Sequence, residues 1–437
     1  MKDKNLGENI FNLRNTQNMT QEEFAEKLGV TGKAVSKWET GAAVPSLETI
    51  RKISSIFDVS LDELLKVKVN GKEKKIAKIV LTGGPCAGKT TAMNWIQNFF
   101  QKKGYAVVFI PETATELITS GIKPASVVDY LTFQQNILQL QIEKEKVYRD
   151  AAVNLPEDKI LIVCDRGLLD NKAYLGKRDW SRLLKKTGYN DVELQEKYDA
   201  IFHLVTAAKG AKEFYNLDNP ARYETPDEAI KVDNDIISAW TGHPHLRIID
   251  NSTDFEEKMK RLLKEISHFL GEPEPYEIER KYLIDYPDVA YLEKLPNCKK
   301  VDIVQTYLKT DNDEEVRIRQ RGYNGNYTYS KTRKVSINGI KRIELESRLS
   351  EKEYLSLLGK ADPSKNQILT SRYCLVYNNH YFEIDVYPFW NDKAILEIEL
   401  NDENQEVNIP PFIHVIKEVT EDEDYKNSSL AKKRVKN

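Results

Sequence analysis

The sequence predicts three domains in one chain: a small all-α domain, an α/β domain with a parallel sheet, and an antiparallel β-barrel (tunnel) with helices. Its 437 residues suffice for roughly three domains at about 150 residues each. The sequence pattern also changes twice, from short helices to apolar strands alternating with amphipathic helices, and then to strands of period two. We place the domains at residues 1–67, 75–270 and 274–437.

Composition excludes several classes of protein. A net charge of -3 excludes a polycation that coats nucleic acid, and 40% hydrophobic residues indicate a folded chain. No apolar run approaches the roughly 20 residues that span a bilayer, and the amino terminus lacks a secretion signal. We therefore expect a cytoplasmic protein with no membrane contact. The scattered cysteines predict neither a disulfide framework nor a zinc site.

The first domain begins with helical spacing of apolar residues. Thr20 with Glu23 forms a capping-box signature for a second helix, which should end at Gly29. Thr31 should cap a third helix that turns Val35 and Trp38 inward. A helical bundle of this kind suits DNA binding, dimerisation or an adaptor role.

This helix order, centred on TQEEFAEKLGVTGKAVSKWETG, resembles the Cro/phage-repressor (XRE-type) helix-turn-helix family. The resemblance implies double-stranded DNA as a partner, a homo-oligomer, and a third helix in the major groove. By position it assigns a phosphate contact to Gln21 and base-edge contacts to Gly32, Lys33 and Lys37, and Ser36 is a further DNA-binding residue.

The second domain opens with a phosphate-binding motif. An apolar strand at 78–81 runs into G-x-x-x-x-G-K-[ST], and a helix follows. Glycines let backbone N–H groups surround a phosphate, the lysine supplies a cation, and the Thr90 hydroxyl is a Mg²⁺ ligand. We expect ATP or GTP to bind at Gly83, Gly84, Pro85, Cys86, Ala87, Gly88, Lys89, Thr90 and Thr91.

Charged residues follow later strands of this domain. Glu112 follows a strand at 105–110, and Asp165 and Arg166 follow another at 160–163. Together they resemble the small P-loop nucleoside and nucleotide kinases and related ATPases. The resemblance implies that Glu112 holds substrate and that Asp165 and Arg166 serve catalysis. Arg222 is either a lid residue that contacts the transferred phosphate or a member of a surface ion pair. The sequence does not identify the phosphate acceptor, which could be water.

The third domain carries dense charge on one face of strand after strand. A solvated face with cross-strand ion pairs would explain any one of them. Six such strands instead favour a barrel whose polar side lines a lumen. Arginines and lysines there suit a polyphosphate, and carboxylates suit Mg²⁺ or Mn²⁺.

The motifs E-x-E-x-K at 277–281, VRIR, EIDVY and EIEL occur in the order of the CYTH, or triphosphate tunnel metalloenzyme, family, which this segment resembles. The resemblance assigns metal binding to Glu277, Glu279, Asp385, Glu397 and Glu399. It assigns catalysis and triphosphate binding to Lys281, Arg317, Arg319, Lys331 and Arg372. Further substrate contacts fall to Arg333 and Lys426, and to Glu344 and Glu346, which are alternatively partners of the arginines.

We interpret the chain as a metal-dependent triphosphate hydrolase, acting on inorganic, small organic or nucleoside triphosphates, with an ATP-binding kinase-like domain and a DNA-binding head. Two alternatives stay open. One is a transcriptional regulator whose phosphate-binding domains sense nucleotides or polyphosphate. The other is adenylate cyclase activity, which needs a nucleobase site that the sequence does not identify.

Overall fold

A computed structural model describes residues 4–16, 19–57, 74–124, 127, 129–215, 225–272, 278–310, 315–338, 341–400 and 405–432. The predicted site residues Arg222 and Glu277 lie outside these described residues. The chain divides into two compact units, residues 1–75 with 156–159, and residues 76–155 with 160–437. None of the described helices is long and apolar enough to cross a membrane.

The described part of the amino-terminal unit folds as helices α1 (Lys4–Thr16), α2 (Gln21–Leu28), α3 (Gly32–Glu39) and α4 (Leu47–Phe57). The predicted capping box is confirmed, because the Thr20 side chain accepts from the Glu23 N–H and the Glu23 carboxylate accepts from the Thr20 N–H. Val35 and Trp38 are buried as predicted. A Cβ on Gly7 would lie 2.1 Å from the Trp38 carbonyl oxygen, so glycine permits close packing of α1 on α3.

The second unit begins with a five-stranded parallel sheet in the order β2-β3-β1-β4-β5. Its strands are β1 (Lys75–Gly83), β2 (Tyr105–Ile110), β3 (Lys159–Asp165), β4 (Ala200–Leu204) and β5 (Leu246–Ile249). Its helices are α5 (Lys89–Lys102), α6 (Thr113–Thr119), α7 (Tyr130–Ala152), α8 (Asp170–Tyr174), α9 (Lys177–Thr187), α10 (Asp191–Gln195), α11 (Pro226–Trp240) and α12 (Phe255–Phe269). Apolar clusters cover both faces of the sheet, which is the layering predicted for this domain.

A nine-stranded antiparallel sheet follows, in the order β10-β9-β8-β7-β11-β12-β13-β6-β14. Its strands are β6 (Ile278–Asp285), β7 (Cys298–Tyr307), β8 (Glu315–Tyr323), β9 (Asn326–Asn338), β10 (Lys341–Leu349), β11 (Ile368–Tyr377), β12 (His380–Val386), β13 (Lys393–Leu400) and β14 (Val415–Glu418). Short helices α13 (Val289–Leu292), α14 (Glu351–Leu358) and α15 (Asn427–Leu430) accompany it. Among the described residues the nine strands form one continuous sheet with β10 and β14 at its edges, and these two edge strands do not pair with each other.

The two faces of this sheet differ in chemistry. One face buries an apolar cluster that includes Phe382, Ile384 and Leu396. The opposite face, here called the ionic face, carries Lys281, Arg372, Glu383, Asp385 and Glu397, because side chains alternate along each strand. At one end of the ionic face a second apolar cluster closes over Leu283, Tyr307, Tyr387 and Ile395.

The other end of the ionic face packs against the parallel-sheet domain. Val376 and Tyr381 join the apolar core that surrounds Trp240. The Arg321 guanidinium donates to the Gly242 carbonyl, and Arg348 Nη2 donates to Asp199 Oδ1 at 3.0 Å. The two sheets therefore share apolar and polar contacts within one compact unit.

Candidate functional sites

Helix α3 presents the predicted DNA-contacting residues on one side. Lys33 and Lys37 are exposed and Ser36 is half-buried, whereas Val35 faces the core. A Cβ on Gly32 would lie 3.1 Å from Glu22 Oε1, so a glycine there leaves room for a carboxylate of α2.

The predicted phosphate contact of the head is already engaged. Gln21 Nε2 donates to Glu39 Oε2 at 2.6 Å, and Arg14 Nε donates to the same carboxylate at 2.6 Å. The Gln21 amide is thus oriented by Glu39, so a DNA phosphate would have to share it or displace it.

The phosphate loop connects β1 to α5, as its motif predicts. Gly88 has φ +87°, and a Cβ there would lie 2.7 Å from the Phe255 ring, so this position needs glycine. Cys86 is half-buried, while Thr90 and Thr91 are exposed in the first turn of α5. Lys258 supports the loop from α12, with Nζ donating to Asn251 Oδ1 at 2.6 Å and lying 3.4 Å from the Ala87 carbonyl.

Asp233 on α11 fixes one side of the loop. Its buried carboxylate accepts from the Gly84 N–H at 3.0 Å, the Thr206 N–H at 3.1 Å and Lys209 Nζ at 2.8 Å, and it contacts His203 Nε2 at 3.0 Å. Burial raises its pKa, but His203 and Lys209 outweigh burial and hold the pKa below its usual range. Asp233 stays ionised and holds the loop.

The structure brings the predicted kinase-like residues together around Lys89. Burial lowers the pKa of Lys89, and so does Arg166, against the raising effect of Asp165 and Glu112. Burial raises the pKa of Asp165. Arg166 Nε donates to Glu112 Oε1 at 2.7 Å from a left-handed backbone with φ 69°, a strained conformation for a side chain of this size.

Glu112 is the most strongly ionised carboxyl of this group. Burial raises its pKa, but Arg166, Lys89 and a hydrogen bond from Thr115 bring the pKa down to about 2. An ionised Glu112 accepts hydrogen bonds only, so it suits a hydroxyl or amino donor on a substrate.

Arg372 is the centre of the ionic face. Its Nε and Nη2 donate to the two Asp385 oxygens at 2.6 Å each, and Nη2 donates to Glu397 Oε2 at 3.0 Å. Nη1 pairs with Glu383. Burial lowers the pKa of Arg372, but these carboxylates raise it well above its ordinary value.

Lys281 continues the ion-pair network on β6. Its Nζ donates to Glu397 Oε1 at 2.5 Å and lies 3.3 Å from Glu279 Oε1. Burial raises the pKa of Glu397, but Lys281 and Arg372 lower it to about 2. Glu279 and Glu399 are direct cross-strand partners, and Glu399 pairs with Arg247 of the parallel-sheet domain.

The register separates the remaining predicted cations. Arg319 lies opposite Gln305 and Arg317 opposite Tyr307, which puts both arginines on the ionic face. Lys331 lies opposite Ile318 and Arg333 opposite Val316, on the other face of the sheet. Lys331 and Arg333 share a face with each other but do not join the Arg372 cluster.

The remaining predicted substrate contacts lie on β10 and at the start of α15. Glu346 is exposed on β10, opposite Thr332, which in turn lies opposite Arg317 on the ionic face. In the strand register Glu344 is paired with Lys334. Lys426, at the start of α15, pairs with Glu423 three residues before it. Asp233, Lys258 and Arg247 were not predicted, because no local motif marks residues that act on partners distant in sequence.

The donor chemistry of the ionic face fits a hard divalent cation. Asp385, Glu397, Glu279 and Glu399 offer the carboxylate oxygens that Mg²⁺ and Mn²⁺ prefer. Among the described residues no three acidic groups converge on one point, because Arg372 and Lys281 draw them into ion pairs.

Comparisons with known proteins match the first two domains. A helix-turn-helix family model matches residues 10–64, and an AAA domain model matches residues 78–258. The HTH-type transcriptional activator BcrR of Enterococcus faecalis is 47% identical over 60 residues, covering 14% of this chain and 29% of BcrR. The uncharacterized HTH-type transcriptional regulator YqaE of Bacillus subtilis is 43% identical over 67 residues, covering 15% of this chain and 58% of YqaE.

The similarity to both regulators is confined to the head, and this chain spans less than two thirds of either relative. The solved structure of the inorganic triphosphatase NE1496 is similar at 28% identity, covering 36% of this chain and 94% of that chain, with a TM-score of 0.26. The chain therefore joins a helix-turn-helix domain and an AAA-type P-loop domain to a nine-stranded antiparallel sheet.

Proposed function

We propose that the ionic face hydrolyses a triphosphate in a reaction that depends on Mg²⁺ or Mn²⁺. The observation that carries this proposal is the buried network in which Arg372 and Lys281 lie among Asp385, Glu397 and Glu383 on one sheet face. Paired acids and bases of this density suit an anion that arrives with a divalent cation. We favour hydrolysis over cyclisation because water needs only space beside the phosphate.

The protein's own groups would act as follows. Arg372, Lys281, Arg317 and Arg319 bind phosphate oxygens and neutralise the leaving phosphate. Asp385, Glu397, Glu279 and Glu399 would hold the cation, which when bound would polarise a phosphoryl oxygen and lower the pKa of a coordinated water. The low pKa of Glu397 keeps this carboxylate available as an acceptor near neutral pH.

Phosphate release provides the test. We expect wild-type protein to release phosphate from inorganic triphosphate or ATP only when Mg²⁺ or Mn²⁺ is present, and Glu279→Ala to release far less. Glu279 lies near Lys281 and opposite Glu399, so its loss removes a cation ligand without emptying the core. Wild-type release no greater than that of Glu279→Ala, on every triphosphate tried, would remove the hydrolase proposal.

We further propose that the P-loop domain binds ATP or GTP at Lys89 and either phosphorylates a small molecule or acts as an ATPase. The arrangement of Lys89, Asp165, Arg166 and Glu112 supports this proposal. Glu112 is positioned to accept a hydrogen bond from the hydroxyl or amino group of the substrate that receives the phosphoryl group.

A second candidate function is transcriptional regulation, with the phosphate-binding domains as sensors. The observation that favours it is the similarity of the head to two HTH-type regulators. In this proposal α3 enters the major groove of DNA and its exposed lysines contact the duplex.

The head is tested by replacing both exposed lysines of α3. Lys33→Ala with Lys37→Ala is expected to weaken binding to an operator selected from random DNA by roughly tenfold to a hundredfold, because each basic contact releases counterions. Lys27→Ala, on α2, serves as a matched control. Unchanged protection of the operator in the double variant would exclude α3 as the contacting helix.

A further inference from the structure

Arg247 on β5 is a basic residue of the P-loop domain that touches the ionic face. Its guanidinium pairs with Glu399 on β13. It lines a cleft whose other wall carries Glu279, Glu383 and Glu397. One wall of this cleft therefore belongs to the parallel-sheet domain, and the other belongs to the sheet proposed to bind triphosphate.

A second carboxylate holds Arg247 from behind. Glu265 on α12 is buried, and its Oε2 lies 3.6 Å from Arg247 Nε. A guanidinium placed between two carboxylates keeps its planar fork directed at both. Because Glu265 belongs to the same domain as Arg247, this contact does not depend on whether the guanidinium also pairs with Glu399.

The two ends of the ionic face differ in access. One end is filled by the apolar cluster around Leu283, Tyr387 and Ile395. At the other end Val376 and Tyr381 pack against the parallel-sheet domain, and beside them Glu279 and Glu399 line the cleft that Arg247 also lines. Glu399 is about a third exposed, so it can turn away from Arg247 towards solvent or a cation.

We propose that Arg247 is a triphosphate-binding residue of the ionic face, supplied by the P-loop domain. On entry of the anion, the guanidinium exchanges the Glu399 carboxylate for phosphate oxygens, which match its bidentate geometry equally well. Glu265 acts as the positioning residue. This inference rests on the proposed triphosphatase function, and makes the site a composite of two domains.

The test measures anion binding rather than turnover. Inorganic triphosphate is titrated calorimetrically into the full chain in EDTA, with Lys89→Ala in every variant so that the phosphate loop does not contribute. Arg247→Gln is expected to weaken binding about tenfold, the effect of losing one charge-assisted contact. The affinity of Arg247→Lys should lie between those of the parent and Arg247→Gln, because lysine keeps the positive charge but lacks the two-pronged guanidinium.

Arg261→Gln is the matched control. Arg261 lines the same cleft, but its guanidinium is held by Asp250 and Thr253 of its own domain. The Arg261→Gln variant should bind triphosphate with the affinity of the Lys89→Ala parent. Equal losses in Arg247→Gln and Arg261→Gln would overturn the assignment in favour of a general charge effect.

A double-mutant cycle separates phosphate binding from simple neutralisation of Glu399. If Arg247 only screens Glu399, Arg247→Gln with Glu399→Gln restores the affinity of the parent. If Arg247 binds phosphate, Glu399→Gln alone tightens binding and the double variant stays weak. Restoration in the double variant would overturn the inference.

The two proposals fail differently. Binding that requires Arg372 but is unaffected by Arg247→Gln removes only this inference. A Lys89→Ala parent that binds no triphosphate at all, and a wild type that releases no phosphate from it, removes both.

Discussion

Replacing Arg372 by methionine is expected to lower kcat/KM for triphosphate hydrolysis by about 10²–10³-fold. The guanidinium pairs with Asp385, Glu383 and Glu397, and its loss leaves buried negative charge without this partner where the phosphates should bind. Steady-state phosphate release with Mg²⁺ or Mn²⁺ measures the effect.

Stability must be measured beside activity, because removing one member of a buried ion-pair network costs roughly 3–5 kcal/mol. Urea unfolding of each variant gives this cost. Arg372→Lys keeps the positive charge but loses the fork, so it should remain folded and retain intermediate activity. A folded Arg372→Lys or Arg372→Met protein with wild-type kcat/KM would contradict a phosphate-binding role for this residue.

Replacing Lys89 by alanine is expected to weaken ATP binding at least about a hundredfold. Lys89 is the cation of the phosphate loop, half-buried beside Asp165, Glu112 and Arg166, and alanine leaves no positive charge at this position. Calorimetric titration with ATP and Mg²⁺ measures the loss, with Arg372→Met in every variant so that the ionic face does not contribute.

Lys102→Ala is the matched control, because Lys102 is exposed at the far end of the same helix. It should bind ATP as wild type does. Hydrolysis of inorganic triphosphate should persist in Lys89→Ala, since its proposed site lies on another sheet. ATP binding retained in Lys89→Ala would refute the assignment of the loop, and loss of both activities would show that the sites depend on each other.

Local signals in the sequence were sufficient for much of the fold. The strand predicted at 105–110 is β2 at those residues, and the capping box at Thr20 begins α2. Both features depend on neighbours within a few residues, where spacing determines which groups meet. The phosphate loop is predictable for the same reason, since its atoms come from one continuous segment.

Features that depend on distant partners were less accessible. Gly84 and Asp233 meet across 149 positions in the chain, and no spacing links them. The face occupied by Lys331 is determined by its pairing with Ile318 on β8, which alternation within β9 alone does not specify. The family resemblance assigns metal binding to Glu399, but its pairing with Arg247 depends on how the two sheets pack.

The apolar packing of Val376 and Tyr381 into the core around Trp240 has an evolutionary consequence. Recombination that brought in the antiparallel sheet from another gene would leave an unfilled gap on one domain and an uncovered tyrosine on the other. We therefore expect these two domains to be inherited together. Substitutions at Val376, Tyr381 and Trp240 should covary among proteins that contain both domains, and should not covary where either domain occurs without the other.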